Sequence, residues 1–185
     1  FLAAALATPA AAGPHRPDLT IAMGGTLAAS GTPNNGGFNA AVAGLWPVEG
    51  PLSFGLTAFA DDIGTRLAQY TEIGPPLKLL GTYQSNHRFV YGGGWRLDFE
   101  PATRRRWRPF ASTTWDYARV QDDARGIVTG AQSSAMFSVG LGLRRNVLQR
   151  STLGVMVRYH RLADDRVMQY LGAAVEWGWR FGKTP

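Results

Sequence analysis

The chain has 185 residues and a mass of 20.0 kDa, room for one ordinary domain, and its 45% hydrophobic content excludes a disordered chain. It contains no cysteine, so disulfides and thiolate metal sites are excluded. A formal net charge of +6 and a pI near 10.2 leave nucleic acid and anionic lipid both open as partners, and the placement of the charges must decide between them.

The first segment, Phe1 to Ala12, is apolar and Ala-rich and ends in Ala10-Ala11-Ala12, small residues of the kind signal peptidase reads. This predicts the h-region and cleavage site of a secretory signal, with its basic n-region expected before Phe1. The expected organisation is a signal remnant over 1–12 and a single domain over 13–185. After Gly13 no apolar run approaches the roughly 20 residues that a membrane helix requires.

From Asp18 onward the sequence alternates with period 2, which sends successive side chains to opposite faces of a strand. Leu19, Ile21, Met23 and Leu27 share one face of the first segment, Phe38, Ala40, Val42 and Trp46 of the second, and Leu52, Phe54, Leu56 and Ala58 of the third. The fourth sets Phe89, Tyr91, Trp95, Leu97 and Phe99 against Arg88, Gly92, Gly94, Arg96 and Asp98. The fifth sets Trp107, Ala111, Trp115 and Tyr117 against Arg108, Ser112, Thr114 and Asp116. In the sixth, Ala135, Phe137, Val139, Leu141 and Leu143 oppose Ser138, Gly140, Gly142 and Arg144. In the seventh, Leu153, Val155, Val157 and Tyr159 oppose Gly154, Arg158 and His160. The eighth is the clearest: Leu171, Ala173, Val175, Trp177, Trp179 and Phe181 are all apolar, whereas Tyr170, Gly172, Ala174, Glu176, Gly178 and Arg180 are small or polar. The fold class predicted is all-β, a single eight-stranded antiparallel up-and-down barrel.

Parity alone also fits a soluble lipocalin-like carrier of apolar ligands, whose apolar face is inside. Two features favour a wall with its apolar face outward in lipid. The connections alternate: Ser30 to Gly37, Asp61 to His87 and Gln121 to Gln132 read as long loops, and Pro47 to Pro51, Glu100 to Arg106 and Arg145 to Arg150 as tight turns. All six Trp lie on the apolar set, with Trp46, Trp95, Trp107, Trp177 and Trp179 toward the short turns. Phe38, Phe89, Tyr91, Tyr117 and Tyr159 lie toward the long loops, so that two aromatic belts are predicted.

The final strand ends Trp177-Gly178-Trp179-Arg180-Phe181, followed by Gly182-Lys183-Thr184-Pro185. An alternating aromatic strand finishing in Phe resembles the C-terminal signal of outer-membrane barrels. With it the mature chain resembles the small OmpA-type, porin-like outer-membrane β-barrel family, in architecture and terminal signal. The resemblance implies a place in the bacterial outer membrane, both termini in the periplasm, and contact with outer-membrane lipids and lipopolysaccharide. It also implies insertion by the barrel-assembly machinery through the C-terminal strand, and a monomer.

The charges are read against that barrel. Arg96, Asp98, Asp116, Arg158, His160, Glu176 and Arg180 have inward parity, and inward charges in a small barrel must pair or be hydrated. Arg158 with Glu176 is the expected pair, with Arg96 and Asp116 as further members of a plug. Arg104-Arg105-Arg106 with Arg108, and Arg144, Arg145 and Arg150, gather at the short turns, which suits solvent or anionic headgroups and argues against nucleic acid. Asp61-Asp62, Asp122-Asp123 and Asp164-Asp165 stand where strands meet outer loops, as solvated residues or as oxygen ligands for a hard divalent cation. His15, His87 and His160 lack ligand spacing, so no metal or cofactor is expected. Gly92-Gly93-Gly94 and Gly24-Gly25 lack the Lys and helix of a phosphate loop and suit strand crowding and curvature instead.

Some barrels of this architecture are lipid A deacylases, with a His and a Ser two positions apart near a strand end. Arg158-Tyr159-His160-Arg161-Leu162 offers the His, but Leu162 stands in the Ser position, so no catalytic residue is assigned. The expected role is structural or interactive, anchoring the envelope or presenting the long second loop, with a narrow or closed lumen; the alternative is a lipid A-modifying enzyme of the deacylase type, and a soluble lipocalin-like carrier comes third.

Overall fold

A computed structural model describes residues 18–28, 36–48, 50–74, 78–103, 105–124, 127–163 and 169–181. These form β1 (Asp18–Ala28), β2 (Gly37–Pro47), β3 (Leu52–Gly74), β4 (Lys78–Phe99), β5 (Arg108–Ala124), β6 (Ile127–Leu148), β7 (Ser151–Ala163) and β8 (Gln169–Arg180). Each pairs antiparallel with its neighbours in sequence, and β1 pairs with β8 from Asp18↔Arg180 to Ala28↔Tyr170, so the sheet closes on itself. Closure removes the exposed sheet edge that would otherwise template aggregation. The segment over 1–12, Asp164-Asp165, Arg104 and His15 lie outside the described residues.

The parity predicted for each strand holds, and it is inverted relative to a soluble protein. Outward-facing Leu141 is 67% exposed and Val157 55% exposed, whereas inward-facing Arg96 and Glu176 are each 1% exposed. A wall with this polarity is stable only where the surrounding medium is apolar. The interior is not uniformly polar: Leu45, Phe59, Val90, Phe110, Met136, Met156, Leu162 and Tyr170 also point inward and are buried. An eight-stranded lumen is just wide enough to be filled by side chains, and these apolar groups fill what the polar ones do not.

At one end the turns are short, as predicted. Backbone hydrogen bonds from Glu100 N to Pro51 O, at 2.8 Å, and from Arg180 N to Arg150 O, at 2.9 Å, tie neighbouring turns into a rim. The other end differs from expectation. Asp61 to His87, read from sequence as a loop, mostly continues β3 and β4: Thr65↔His87 through Gly74↔Lys78 is an unbroken antiparallel ladder. Likewise β5 and β6 run on to Ala124 and Ile127, well into the segment read as a loop. Pairing of β2 with β3 ends at Asp61, and that of β4 with β5 at Asn86. Among the described residues, Leu67 to Gly74 and Lys78 to Ser85 therefore pair only with each other, a two-stranded ribbon about 26 Å long at 3.3 Å per residue.

The ribbon departs from the wall at a bulge between Asp62 and Thr65. Gly64 makes it possible: its φ is +83°, and a Cβ there would lie 2.6 Å from the Gly36 carbonyl oxygen. The Asp62 carboxylate accepts the Gly64 N–H at 2.7 Å, which fixes the turn of the chain. Within the wall, a Cβ on Gly94 would stand 2.0 Å from the Trp115 carbonyl oxygen, so β4 and β5 approach there as only glycine permits.

Candidate functional site

The inward charges are sorted into two storeys. The lower one, next to the short turns, is built by β4, β5, β6 and β8. Arg96 on β4 donates from Nε to Asp98 Oδ1 at 2.7 Å and from Nη2 to Glu176 Oε2 at 2.8 Å. On an eight-strand ring β4 and β8 stand opposite each other, so the second of these bonds crosses the lumen. Arg144 on β6 donates to Asp98 Oδ2 at 3.1 Å, to Glu100 Oε2 at 3.0 Å and to Glu176 Oε1. Arg108 joins Glu100 at 2.8 Å. Three guanidinium groups thus face three carboxylates, and the storey is neutral as a unit. The Arg144 guanidinium also lies over the Phe110 ring, 4.2 Å from its centroid, which closes the cluster from one side with an apolar plate.

The upper storey holds Asp61, Asp116, Ser138, Arg158, His160 and Tyr170. Tyr170 donates its hydroxyl to Asp61 Oδ2 at 2.6 Å and stacks on the His160 ring at 4.4 Å between centroids, with planes 5° apart. His160 Nδ1 is hydrogen-bonded to Ser138 Oγ at 2.9 Å. Asp116 takes the Thr114 hydroxyl at 2.5 Å, and its Oδ1 has no hydrogen-bond partner among the described residues. A cavity of about 20 Å³, water-sized, lies among Asn39, Asp61, Met156, Arg158 and His160.

The pairing expected from sequence is corrected here. Arg158 does not pair with Glu176: the register sets Arg158 against Gly172 and Glu176 against Gly154, four positions away, about 13 Å along the strand. Arg158 instead approaches Met156 Sδ at 3.5 Å, and its Nε is without a hydrogen-bond partner among the described residues. Asp116 is no partner of Arg96, which sits opposite Thr114 rather than Asp116. The arginine that sequence reasoning missed is Arg144. Its inward parity was visible, but its nearness to a short turn placed it with the solvated rim. Glu100 and Asp61 were missed as lumen residues as well, and Ser138 and Tyr170, read onto the inward face, were not named as members of its polar network.

Of the acidic residues at the strand ends, Asp61, Asp62 and Asp122 are already engaged. Asp61 serves Tyr170. Asp62 accepts from Gly64 and lies 2.8 Å from His87 Nε2. Asp122 receives Arg88 Nε at 2.5 Å and Nη2 at 2.8 Å. Among the described residues no group of three His, Asp or Glu side chains is arranged to hold a metal ion.

The Ser138–His160 hydrogen bond has the length of a nucleophile–base pair. Ser138 is 0% and His160 4% exposed, inside the wall, with His160 Nε2 3.4 Å from where a Cβ on Gly172 would lie and no carboxylate on it among the described residues. A base needs an orienting partner and a nucleophile needs a route to its substrate, and this pair has neither among the described residues.

On the outside, aromatic side chains cluster. Phe54 stacks on Trp95 at 5.2 Å with planes 12° apart, Trp177 meets Trp179 edge-on at 6.0 Å, and Trp115 meets Phe137 at 5.7 Å. Arg145 lies over the Trp107 ring at 5.4 Å. Trp46 and Phe181 are each about half exposed near the ends of β2 and β8.

Comparison with known proteins agrees with this architecture. The chain matches Neisserial surface protein A with a TM-score of 0.64 and 14% identity, covering 90% of this chain and 97% of that one. The outer membrane protein OprG from Pseudomonas aeruginosa matches with a TM-score of 0.55 and 11% identity, over 92% of this chain and 99% of that one. The N-terminal β-barrel domain of Pseudomonas aeruginosa OprF gives 0.52 and 11%, over 91% and 100%. No protein-family model matches the sequence, and no curated protein matches it. The chain has the fold of a small transmembrane β-barrel of the outer-membrane type, with eight antiparallel strands.

Proposed function

We propose that this protein is a non-enzymatic barrel of the bacterial outer membrane, sealed along its axis, whose task is to anchor and present the β3–β4 ribbon at the cell surface. The observation that carries this reading is the lower ion cluster. Arg96, Asp98, Arg144 and Glu176 meet across the lumen, each under a tenth exposed, so the charges that would have to be hydrated for an ion to pass are spent on one another. Asp116, Arg158 and His160 form the upper part of the same filled lumen.

The outward aromatics Trp46, Trp107, Trp177, Trp179 and Phe181 serve in this reading as the inner-leaflet belt, their rings at headgroup level, with Trp95 higher on the wall across from Trp115. Lipid and lipopolysaccharide are the medium of the wall. The Trp177 to Phe181 segment is the part read by the barrel-assembly machinery, and the closed sheet works as a monomer. Ser138 and His160 hold the lumen together rather than perform chemistry.

The test is to refold the chain in detergent and in lipid vesicles, then follow heat-modifiable migration and planar-bilayer conductance together. A compact SDS-resistant species with no steady conductance above the bilayer background is expected. A stable open channel would sink the sealed-barrel reading, and a monomer soluble without detergent would sink the membrane one.

A further inference from the structure

The outer wall is apolar except at a few places, and one of these adjoins a hollow. Between β5, β6 and β7, Trp115, Ala135, Phe137, Arg161 and Ala163 face outward around a groove of about 480 Å³. Arg161 is exposed and stands directly across the β6–β7 ladder from Phe137. Its outward parity, shared with Val155, Val157 and Tyr159, keeps its guanidinium from the lumen. It has no carboxylate partner among the described residues.

The height of Arg161 gives this arrangement its meaning. Arg161 lies ten residues up β7 from Ser151 at the short-turn rim, which for a strand tilted about 40° is roughly 25 Å. That is about the thickness of the apolar band of an outer-membrane barrel. The cation therefore stands at the upper edge of the band, with an apolar hollow directly beside it. A guanidinium there needs either water or an anion, and a phosphate group offers a charge-assisted, two-pronged match. Trp115 and Phe137, tilted against each other beside it, offer the apolar floor on which acyl chains lie.

We propose that this groove is a binding site for one phosphorylated, multiply acylated glycolipid of the outer leaflet, with its phosphate on Arg161 and an acyl chain along Trp115 and Phe137. The inference rests on the membrane reading above, with the β3–β4 ribbon outside. It goes further in turning one stretch of lipid-facing wall into a site with a preferred occupant.

The test is native mass spectrometry of the refolded protein in detergent, offered a bisphosphorylated hexa-acyl lipid A, its phosphate-free form, and phosphatidylglycerol in turn. The wild-type protein is expected to retain the bisphosphorylated glycolipid about tenfold better than either of the others. Arg161→Gln should abolish that preference. Arg119→Gln, which removes another outward cation not lining the groove, should leave it unchanged. Equal retention of all three lipids by the wild-type protein would overturn the site without recourse to any variant. So would equal retention of lipid A and phosphatidylglycerol, or an Arg119→Gln effect as large as that of Arg161→Gln. Failure of the wild-type chain to give a heat-modifiable species would instead count against the membrane reading on which the site depends.

Discussion

Arg96 on β4 and Glu176 on β8 are eighty positions apart in the chain, and they meet at 2.8 Å across the full width of the barrel. Their bond ties opposite walls directly, which the hydrogen-bond ladder around the circumference does not do. Glu176 also accepts from Arg144, so one carboxylate joins three strands. Breaking a buried pair by removing one partner typically costs about 3–5 kcal/mol, because the remaining charge is left uncompensated. Glu176→Gln should therefore lower unfolding stability in lipid vesicles by about that amount in urea titrations. Replacing Arg96, Asp98, Arg144 and Glu176 together by apolar residues, which leaves Glu100 to Arg108, should cost less than Glu176→Gln alone. A loss below about 1 kcal/mol for Glu176→Gln would show that water reaches the cluster.

The two faces of the wall should respond oppositely to charge. Leu141 is exposed on the outside of β6, with several apolar neighbours above and below it. Leu141→Arg is expected to destabilise the folded barrel in bilayers by about 2–4 kcal/mol, the depth-dependent cost of a cation on the lipid face. The same change in a soluble barrel with an outward residue would be nearly neutral. Chemical unfolding in vesicles distinguishes the two.

Gly64 governs the exit of the β3–β4 ribbon. Gly64→Val would place a β-branched residue at φ +83° and drive its Cβ against the Gly36 carbonyl. The local cost is about 1–3 kcal/mol. The expected readout is faster hydrogen exchange and proteolysis over the ribbon, with heat-modifiable migration of the barrel unchanged. Uniform destabilisation of the whole barrel would mean that the bulge is part of the wall and not a hinge at its top.

Ser138 tests whether the Ser–His pair has chemistry to do. Ser138→Ala removes a buried hydrogen bond and leaves His160 Nδ1 unpaired, a loss of about 1–3 kcal/mol in stability. Lipid A isolated from cells expressing the wild-type protein should match that from cells expressing Ser138→Ala and from cells lacking both. A change in acylation that disappears in the variant would reinstate an enzymatic role.

The strands were legible because their signal is local. Period 2 is written into each segment, and an outward apolar set such as Val155, Val157 and Tyr159 declares its face without reference to any other strand. The lumen was legible only in part, for a physical reason. Parity shows that Arg158 and Glu176 both point inward, but height along the barrel depends on register, and register puts Gly172 rather than Glu176 beside Arg158. Arg144 illustrates a second gap: a residue four positions before the end of β6 is near a turn in sequence and deep inside in space, because its side chain crosses toward Asp98 and Glu176. The ribbon of β3 and β4 was read as a loop because strand detection relied on one apolar face. A ribbon clear of the bilayer has no lipid to face, so that signal is missing even though the ladder forms.

The pairing of β1 with β8 bears on when the barrel can close during its assembly. Asp18 pairs with Arg180, and Leu27 with Leu171, so the first strand finds its second neighbour only when the last is in place. The strand that closes the seam is also the one that brings Glu176. Until it arrives, Arg96 and Arg144 face a lumen lacking one of their acceptors, and β1 and β7 expose open backbone edges. Folding and sealing are thus one event, completed by the C-terminal strand, and a chain shortened by its final seventeen residues, 169–185, would be an open, mispaired sheet rather than a smaller barrel.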